Sequence, residues 1–386
     1  MVFSKKDTLA IKGIAILLLL HYHNFFQSSR FVNYNVDLSP FSESTMLLLT
    51  SFFKICVAIF AFLSAYGLTL SLKKYNSNSC LTGEQYKSYL GQRLLKLMWG
   101  YWFVFLISLI AVSVLKPERS FPTYFIGNGI ESIVQGIFKM LLDFLGLTFL
   151  SDTPSMNGTW WYMGLAIFIV IVVPFITMLY KKWGVLLVLL ACFIVPRMIF
   201  PAENFEVGEY NNLFKWMLVV ILGSVFAQYD ILVRMKAFKI TKNKYLSKTL
   251  KFLISTVIMA AFYIAYVMLN GKNRNYTYEF RDNIVPVFFI YYCYDFIVDI
   301  PVVRQFLIFI GKHSMNIFFI HNFYRQILFG SFIYSFKHWL LIDLVLLITS
   351  LATSIFIELI KKLLRYDKLL LLILNRMENK NAVAEK

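Results

Sequence analysis

Long runs of apolar residues, separated by short polar or charged stretches, set the pattern of this chain. Ten runs read as membrane-crossing helices: residues 9–27, 46–72, 95–115, 159–180, 183–200, 211–229, 249–270, 283–299, 305–328 and 339–363. Each approaches the roughly 20 helical residues that cross a hydrocarbon core about 30 Å thick. An eleventh stretch, 130–150, carries Glu131, Lys139 and Asp143. Three charges across a lipid-facing span would each cost about 2.5–3.5 kcal/mol, so this stretch is predicted to be an interfacial or re-entrant helix. The fold class expected is an all-α, polytopic integral membrane protein with a membrane domain over 1–370 and a short tail over 371–386.

Charge supplies the orientation. With the N-terminus inside, the segments 1–8, 73–94, 181–182, 230–248, 300–304 and the tail after 363 hold about twice as many Lys and Arg as the opposite side, as cytoplasmic loops do. The loop 201–210 carries three Glu and no basic residue, whereas 234–251 carries seven basic residues. Both termini are therefore expected in the cytoplasm. Lys5 and Lys6 before an apolar run resemble a secretory signal, but the run ends in His21 and His23 with no small-residue cleavage site, so a retained first span is expected.

Composition agrees. The 386 residues are 59% hydrophobic and 15% charged, against about half and about a quarter in soluble domains, and at about 20 residues per span they allow at most about eleven spans. The net charge of +17 would suit nucleic-acid binding in a soluble chain, but in a membrane protein it follows from loop topology, and no nucleic-acid partner is expected. The four scattered Cys show no CxxC spacing, so neither a disulfide framework nor a metal site is indicated. No soluble domain, Gly-rich phosphate loop or solenoid-length repeat is visible, which leaves the function to the membrane domain.

Ionisable side chains inside spans are costly and mark candidate functional positions. The first span holds Lys12, His21 and His23. At about 100° per residue, Lys12 and His23 fall within about 20° of one another around the helix and about 16 Å apart along it, while His21 lies about 180° from Lys12. The pair could hold the two ends of one long substrate, with an anionic head group near the inner surface at Lys12 and the reactive end at His23. The plainer alternative has Lys12 snorkelling to the interface, His23 making a structural hydrogen bond, and His21 bonding a neighbouring helix.

The string IKGIAILLLLHYH, Ile11 to His23, resembles the first helix of the membrane acyltransferase-3 family, in which a basic residue, ten intervening residues and a histidine form the motif. Lys12 stands where the family usually has Arg, which replaces a bidentate anion grip with a point charge. IFAFLSAYG resembles the family's second-helix Phe-Leu-Ser-Gly-Tyr pattern, with Ala65 in place of Gly. RLLKLMWGYW (Arg93 to Trp102), TWWYMGLAIFIVIVVPF (Thr159 to Phe175) and IGKHSMNIFFIHNF (Ile310 to Phe323) resemble its third helix, its Trp-Tyr helix and a late Gly-Lys-x-Ser helix.

The resemblance implies transfer of an acyl group, with acetyl expected, from acetyl-CoA in the cytoplasm to a hydroxyl of an extracytoplasmic sugar or polysaccharide. His23 is then the expected catalytic residue, as general base or as acyl-carrying nucleophile. Lys12, Arg93 and Lys96 are the expected donor-binding cations, the last two on one helical face at i,i+3; the ordinary basic flank of a span is the alternative for either. His321, about 16 residues into the ninth span, is expected at a depth close to that of His23, as an acceptor- or donor-orienting group, a proton relay or a structural histidine. Trp161 and Tyr162 are expected as an interface belt or as a stacking platform for a sugar.

The expected partners are acyl-CoA, a carbohydrate acceptor and the lipid bilayer; the expected location is the cell membrane of a bacterium. A transporter or flippase for lipid-linked glycans would also need many spans, but it predicts inverted repeats, and none is evident between the halves. An acyltransferase acting on a small molecule, peptide or lipid is a further alternative, because acceptor recognition would lie in short outer loops. Sequence patterns leave the oligomeric state open.

Overall fold

With no water in a bilayer core to satisfy amide groups, an apolar chain crosses it by closing its hydrogen bonds within helices. The computed structural model describes residues 2–75, 82–127, 129–148, 153–199, 213–269 and 281–384. The helices are α1 (Lys5–Phe25), α2 (Glu43–Phe52), α3 (Ile55–Tyr75), α4 (Gly83–Leu115), α5 (Ile130–Phe144), α6 (Tyr162–Trp183), α7 (Val185–Ile199), α8 (Met217–Gln228), α9 (Ile231–Ala237), α10 (Lys244–Leu269), α11 (Val285–Tyr292), α12 (Pro301–Lys312), α13 (Ser314–Asn322), α14 (Gly330–Tyr334), α15 (Trp339–Leu363) and α16 (Tyr366–Ala384). Among the described residues there is no strand.

Six helical stretches are long and apolar enough to cross a membrane: Lys5–Phe25, Glu43–Lys73, Gly83–Leu115, Gly158–Trp183, Lys244–Leu269 and Trp339–Leu363. The bent pair α8 and α9, at 65° to each other, brings the number to seven if it counts as one span. The expected spans 9–27, 46–72, 95–115, 159–180, 249–270 and 339–363 thus have matching helices.

Others differ. Residues 305–328 are not one helix: α12 stops at His313, where ψ has risen to 0°, α13 starts at Ser314, and a π-helical turn follows over Phe323–Ile327. The hydropathy of the run averages over this break, which falls where the chain passes from one compact unit to the other. The run 283–299 likewise contains α11 followed by a π-helical turn over Cys293–Ile297. Over the described residues helix α7 has 15 residues, about 22 Å, short of a hydrocarbon core, and the expected outer loop 201–210 lies outside the described residues.

The chain divides into two compact units. One comprises residues 1–33, 38–74 and 175–314, the other residues 34–37, 75–174 and 315–386. In the first unit α1 lies against α12. Their backbones approach so closely that a Cβ on Gly13 would meet the Leu307 carbonyl and one on Gly311 the Leu9 carbonyl. Asp7 ties the ends of the pair: it closes the capping box with Ser4 at the start of α1 and accepts a hydrogen bond from the Arg304 guanidinium at 2.6 Å. Between α3 and α8, Gly223 sits against the Phe62 carbonyl and Thr69 Oγ1 lies 2.8 Å from Ser224 Oγ. Close contact over small residues with buried hydroxyl pairs is how helices associate where lipid removes the hydrophobic drive.

In the second unit α5 is strongly two-sided. Ile130, Ile133, Val134, Ile137, Phe138 and Leu141 form an exposed stripe at i, i+3, i+4 spacing, while Gly136 and Asp143 are buried on the other side. The Asp143 carboxylate accepts hydrogen bonds from Tyr124 Oη at 2.6 Å, Ser155 Oγ at 2.9 Å and the Met156 amide at 2.9 Å. Burial pushes its carboxyl up to about 6, against the hydrogen bonds, which pull it down. At 15 residues with an apolar stripe on one side only, α5 has the form of a helix lying in an interface. Its charges are handled accordingly: Asp143 is satisfied internally and Glu131 stands in the first turn.

The glycine contact between α1 and α12 gives a direct test. Gly311→Val should force the two backbones apart and destabilise the protein by about 1–3 kcal/mol or more. The measurement is the melting temperature of the detergent-purified protein, and an unchanged value would contradict the contact.

Candidate functional site

Helix α1 carries both residues of the basic-histidine pair. It runs without interruption from its Ser4 cap to Phe25, so Lys12 and His23 lie on nearly one face, about 16 Å apart along the axis. Both are half-buried. His21 is buried on another side, with Nε2 3.2 Å from Thr50 Oγ1 of α2 and its ring between Phe25 and Phe53, each at 5.2 Å. The sequence expectation that His21 bonds a neighbouring helix is met at Thr50.

The last turn of α1 is built as a unit. The His23 ring lies 5.3 Å from the Tyr22 ring, which stacks on Phe26 at 4.9 Å. Arg30 donates from its guanidinium to the His23 carbonyl and sits 3.8 Å over the Phe26 ring. A cation at the C-terminal carbonyls of a helix compensates both the orphan acceptors and the negative end of the dipole. Arg30 is a site residue that sequence reasoning missed; its only signal was a basic side chain seven residues beyond the histidine.

The same unit contains a buried charge cluster, also missed. Arg281 forms a two-pronged pair with Asp282, at 2.6 Å from Nε to Oδ1 and 2.9 Å from Nη2 to Oδ2. Lys215 Nζ lies 3.4 Å from Asp282 Oδ2, and Lys54 is within electrostatic reach of all three. Arg281 also donates through Nη1 to the Ser51 carbonyl at 3.2 Å, one residue beyond the Thr50 that holds His21. Buried ions survive in a low dielectric only with such partners. Lys54 lay inside an apolar run and could have been noticed; its partners lie more than 150 residues away.

The second unit positions the remaining predicted residues. His321 of α13 is fully buried, and its Nδ1 lies 3.0 Å from the Ile317 carbonyl. A carbonyl can only accept, so Nδ1 carries the hydrogen, and in the neutral imidazole the lone pair is on Nε2. That is the tautomer a base or a hydrogen-bond acceptor at Nε2 requires. The Phe318 ring bridges His321, at 6.3 Å, and Tyr162, at 5.0 Å. Trp161 continues the row at 6.0 Å from Tyr162. Tyr162 is buried and Trp161 half-buried.

A polar network fixes the backbone beside His321. Asn157 Nδ2 and Trp160 Nε1 both donate to the Phe319 carbonyl, at 2.9 and 3.0 Å. Asn157 Oδ1 accepts from Thr159 N, Thr159 Oγ1 and Asn322 Nδ2, at 3.1, 2.9 and 3.0 Å. Asn322 Oδ1 in turn accepts from the Arg325 guanidinium. This network spans the start of the π-helical turn at Phe323, a deformation that clusters at functional sites. Trp160 is therefore a buried clamp.

Arg93 and Lys96 lie on α4, whose start is capped by Thr82. The Arg93 guanidinium is half-buried over the Tyr89 ring at 5.6 Å, and Lys96 is exposed. Among the described residues, no three His, Cys, Asp or Glu side chains gather as metal ligands.

If the Asn157 clamp serves His321, then Asn157→Ala should lower turnover about tenfold in wild type and add nothing to the loss caused by His321→Ala. Trp160→Phe, which removes one of the two donors but keeps the ring, should have a smaller effect in the same direction. Independent, additive losses in the double variant would rule out the coupling.

The model of one protein family, Acyl_transf_3, described as an acyltransferase domain, matches residues 10–359. No curated protein and no solved structure matches the chain. The matched stretch begins two residues before Lys12 and includes Lys12, His23, Arg93, Lys96, Trp161, Tyr162 and His321, so the chain belongs to the acyltransferase-3 family and is an acyltransferase built on membrane-crossing helices.

Proposed function

We propose that the protein moves an acetyl group from cytoplasmic acetyl-CoA to a hydroxyl of an extracytoplasmic sugar or polysaccharide at the cell membrane of a bacterium. The observation that carries this reading is the placement of Lys12 and His23 on nearly one face of a single unbroken helix. One end offers a cation for a donor phosphate, and the other offers an imidazole for the reacting group. The reading places both termini in the cytoplasm, with Lys12 near the inner surface and His23 toward the outer half.

In the base role, His23 takes the proton of the acceptor hydroxyl as the oxygen attacks the thioester carbonyl. The carbon–sulfur bond then breaks, and the CoA thiolate takes that proton from the imidazolium. In the carrier role, the imidazole itself attacks the thioester and CoA leaves as the thiolate; the acceptor hydroxyl then attacks the acetyl carbon, the carbon–nitrogen bond breaks, and the hydroxyl proton passes through the freed imidazole to the thiolate. Arg93 and Lys96, on one face of α4, supply further charge for the donor phosphates. His321, held in one tautomer, orients the acceptor or relays its proton, and Trp161 and Tyr162 offer flat faces to a pyranose.

His23→Ala should abolish acetylation of cell-surface glycans, read as the loss of one acetyl mass, while the amount of protein in the membrane is unchanged; a purified variant that still transfers acetyl would end the assignment. Arg93→Ala should raise the KM for acetyl-CoA about tenfold with little change in kcat, the scale of one charge-assisted hydrogen bond. A KM equal to that of wild type would remove Arg93 from the donor site.

A further inference from the structure

The elbow between α9 and α10 separates its seven basic residues into two groups. Lys236 and Lys248 both pair with Asp299, at 2.6 and 2.8 Å, and Lys251 pairs with Asp295. Lys236 also donates to the Tyr294 carbonyl, and Lys251 to the Lys236 carbonyl. These three lysines hold the elbow to the π-helical end of the α11 segment. Arg234, Lys239, Lys242 and Lys244 do something else. All four are exposed, and among the described residues none of them makes an ion pair.

The elbow is ordered by its own hydrogen bonds. Asn243 Oδ1 accepts from the amides of Tyr245 and Leu246, at 3.0 and 3.2 Å, and Ser247 Oγ accepts from the Ile240 amide at 3.0 Å. The exposed cations are therefore presented from a fixed turn. Between them stand large apolar side chains turned outward: Phe238, 65% exposed, Ile240, Leu246, and Tyr245, 84% exposed. Cations interleaved with exposed aromatic and aliphatic groups match the boundary of a bilayer, where phosphates lie a few ångströms above acyl chains.

Helix α10 extends this surface away from the elbow. Only 6% of its most apolar stretch is buried in the protein, and Leu253, Val257, Ile264 and Met268 continue the exposed apolar face. A helix so little covered lies at the rim of its unit, so the cations at its start face outward. The surface is a basic head followed by a long apolar face along one helix, and its complement is a molecule with an anionic head and a hydrocarbon chain.

We infer that the α9–α10 elbow and the outer face of α10 bind an anionic phospholipid, with the headgroup phosphate among Lys239, Lys242 and Lys244 and an acyl chain along α10. A basic residue near an anionic membrane surface contributes about 1 kcal/mol, close to fivefold in affinity. Three lysines together should thus give roughly a hundredfold preference over a zwitterionic lipid at low salt, shrinking as ionic strength rises.

The test is native mass spectrometry of the full-length protein released from bilayers of phosphatidylglycerol and phosphatidylcholine mixed equally. Wild type should retain phosphatidylglycerol, and the Lys239→Gln, Lys242→Gln, Lys244→Gln triple variant should retain both lipids alike, with an unchanged melting temperature in detergent. Glycerol phosphate and CoA should not displace the lipid, which separates a lipid site from a site for a soluble phosphate. Equal retention of the two lipids by wild type, phosphatidylglycerol retained as well by the variant, displacement by CoA or glycerol phosphate, or a second copy of the chain released by the substitutions would each overturn the inference. The readout is lipid binding, so it stands or falls apart from the acetyl-transfer reading.

Discussion

The contact between the α1 and α12 backbones is the constraint on which the first unit depends. Gly13 and Gly311 let each helix touch the other's carbonyls at Leu307 and Leu9, and no side chain with a Cβ fits at either point. Two contacts one after the other fix the register of α1 as well as its distance. Lys12 adjoins the first of them, and Asp7 locks the near end through Arg304. A helix held in this way can serve as a rigid ruler between a cation near one end and an imidazole near the other. A functional constellation carried on such an element is more precise than one carried on loops.

The second constraint is the cost of a polar group in hydrocarbon. The described structure meets it locally and repeatedly. His21 meets Thr50, Thr69 meets Ser224, Asn316 meets Ser354 and Glu358, and Arg281 meets Asp282. Such pairing means that an ionisable residue within a span has two possible histories, and the surroundings tell them apart. His21 is buried, packed between two phenylalanines and bonded to α2, as a structural histidine would be. His23, two residues on, is half-buried in a turn whose carbonyl is held by Arg30, so its backbone is fixed while its side chain lies on the Lys12 side of the helix.

Much of this arrangement was legible in the sequence because it follows from period and length. Six of the ten long apolar runs have helices long and apolar enough to cross, the charges of 130–150 argued against a span there, and the 11-residue spacing gave the common face of Lys12 and His23. The division of 305–328 was not legible, since hydropathy averages across Lys312, His313 and Ser314 and does not sense where the backbone leaves the helix. The Asn157 clamp was hidden for another reason. Asn157 sits in a polar connection with no periodicity, and its partners Phe319 and Asn322 are about 160 residues away. Arg281 and Asp282 are adjacent in sequence, but their burial depends on Lys215 and Ser51 arriving from other helices. Pairwise chemistry between distant segments leaves no local pattern to find.

Lysine at position 12, where the family resemblance leads one to expect arginine, gains meaning from this geometry. Arginine offers a planar fork that fixes the angle of a bound phosphate or carboxylate; lysine offers one charge on a flexible stem. With Lys12 on a helix whose register is already set by Gly13 and Gly311, the distance from the cation to His23 is determined by the backbone and needs no help from the anion contact. Under the proposed reading, an ammonium that follows a phosphate through a small arc would then suffice, with the reactive end oriented near His23. On this argument the precision of the first unit resides in the packing of α1, and under the proposed reading a donor contact at Lys12 would supply attraction more than aim.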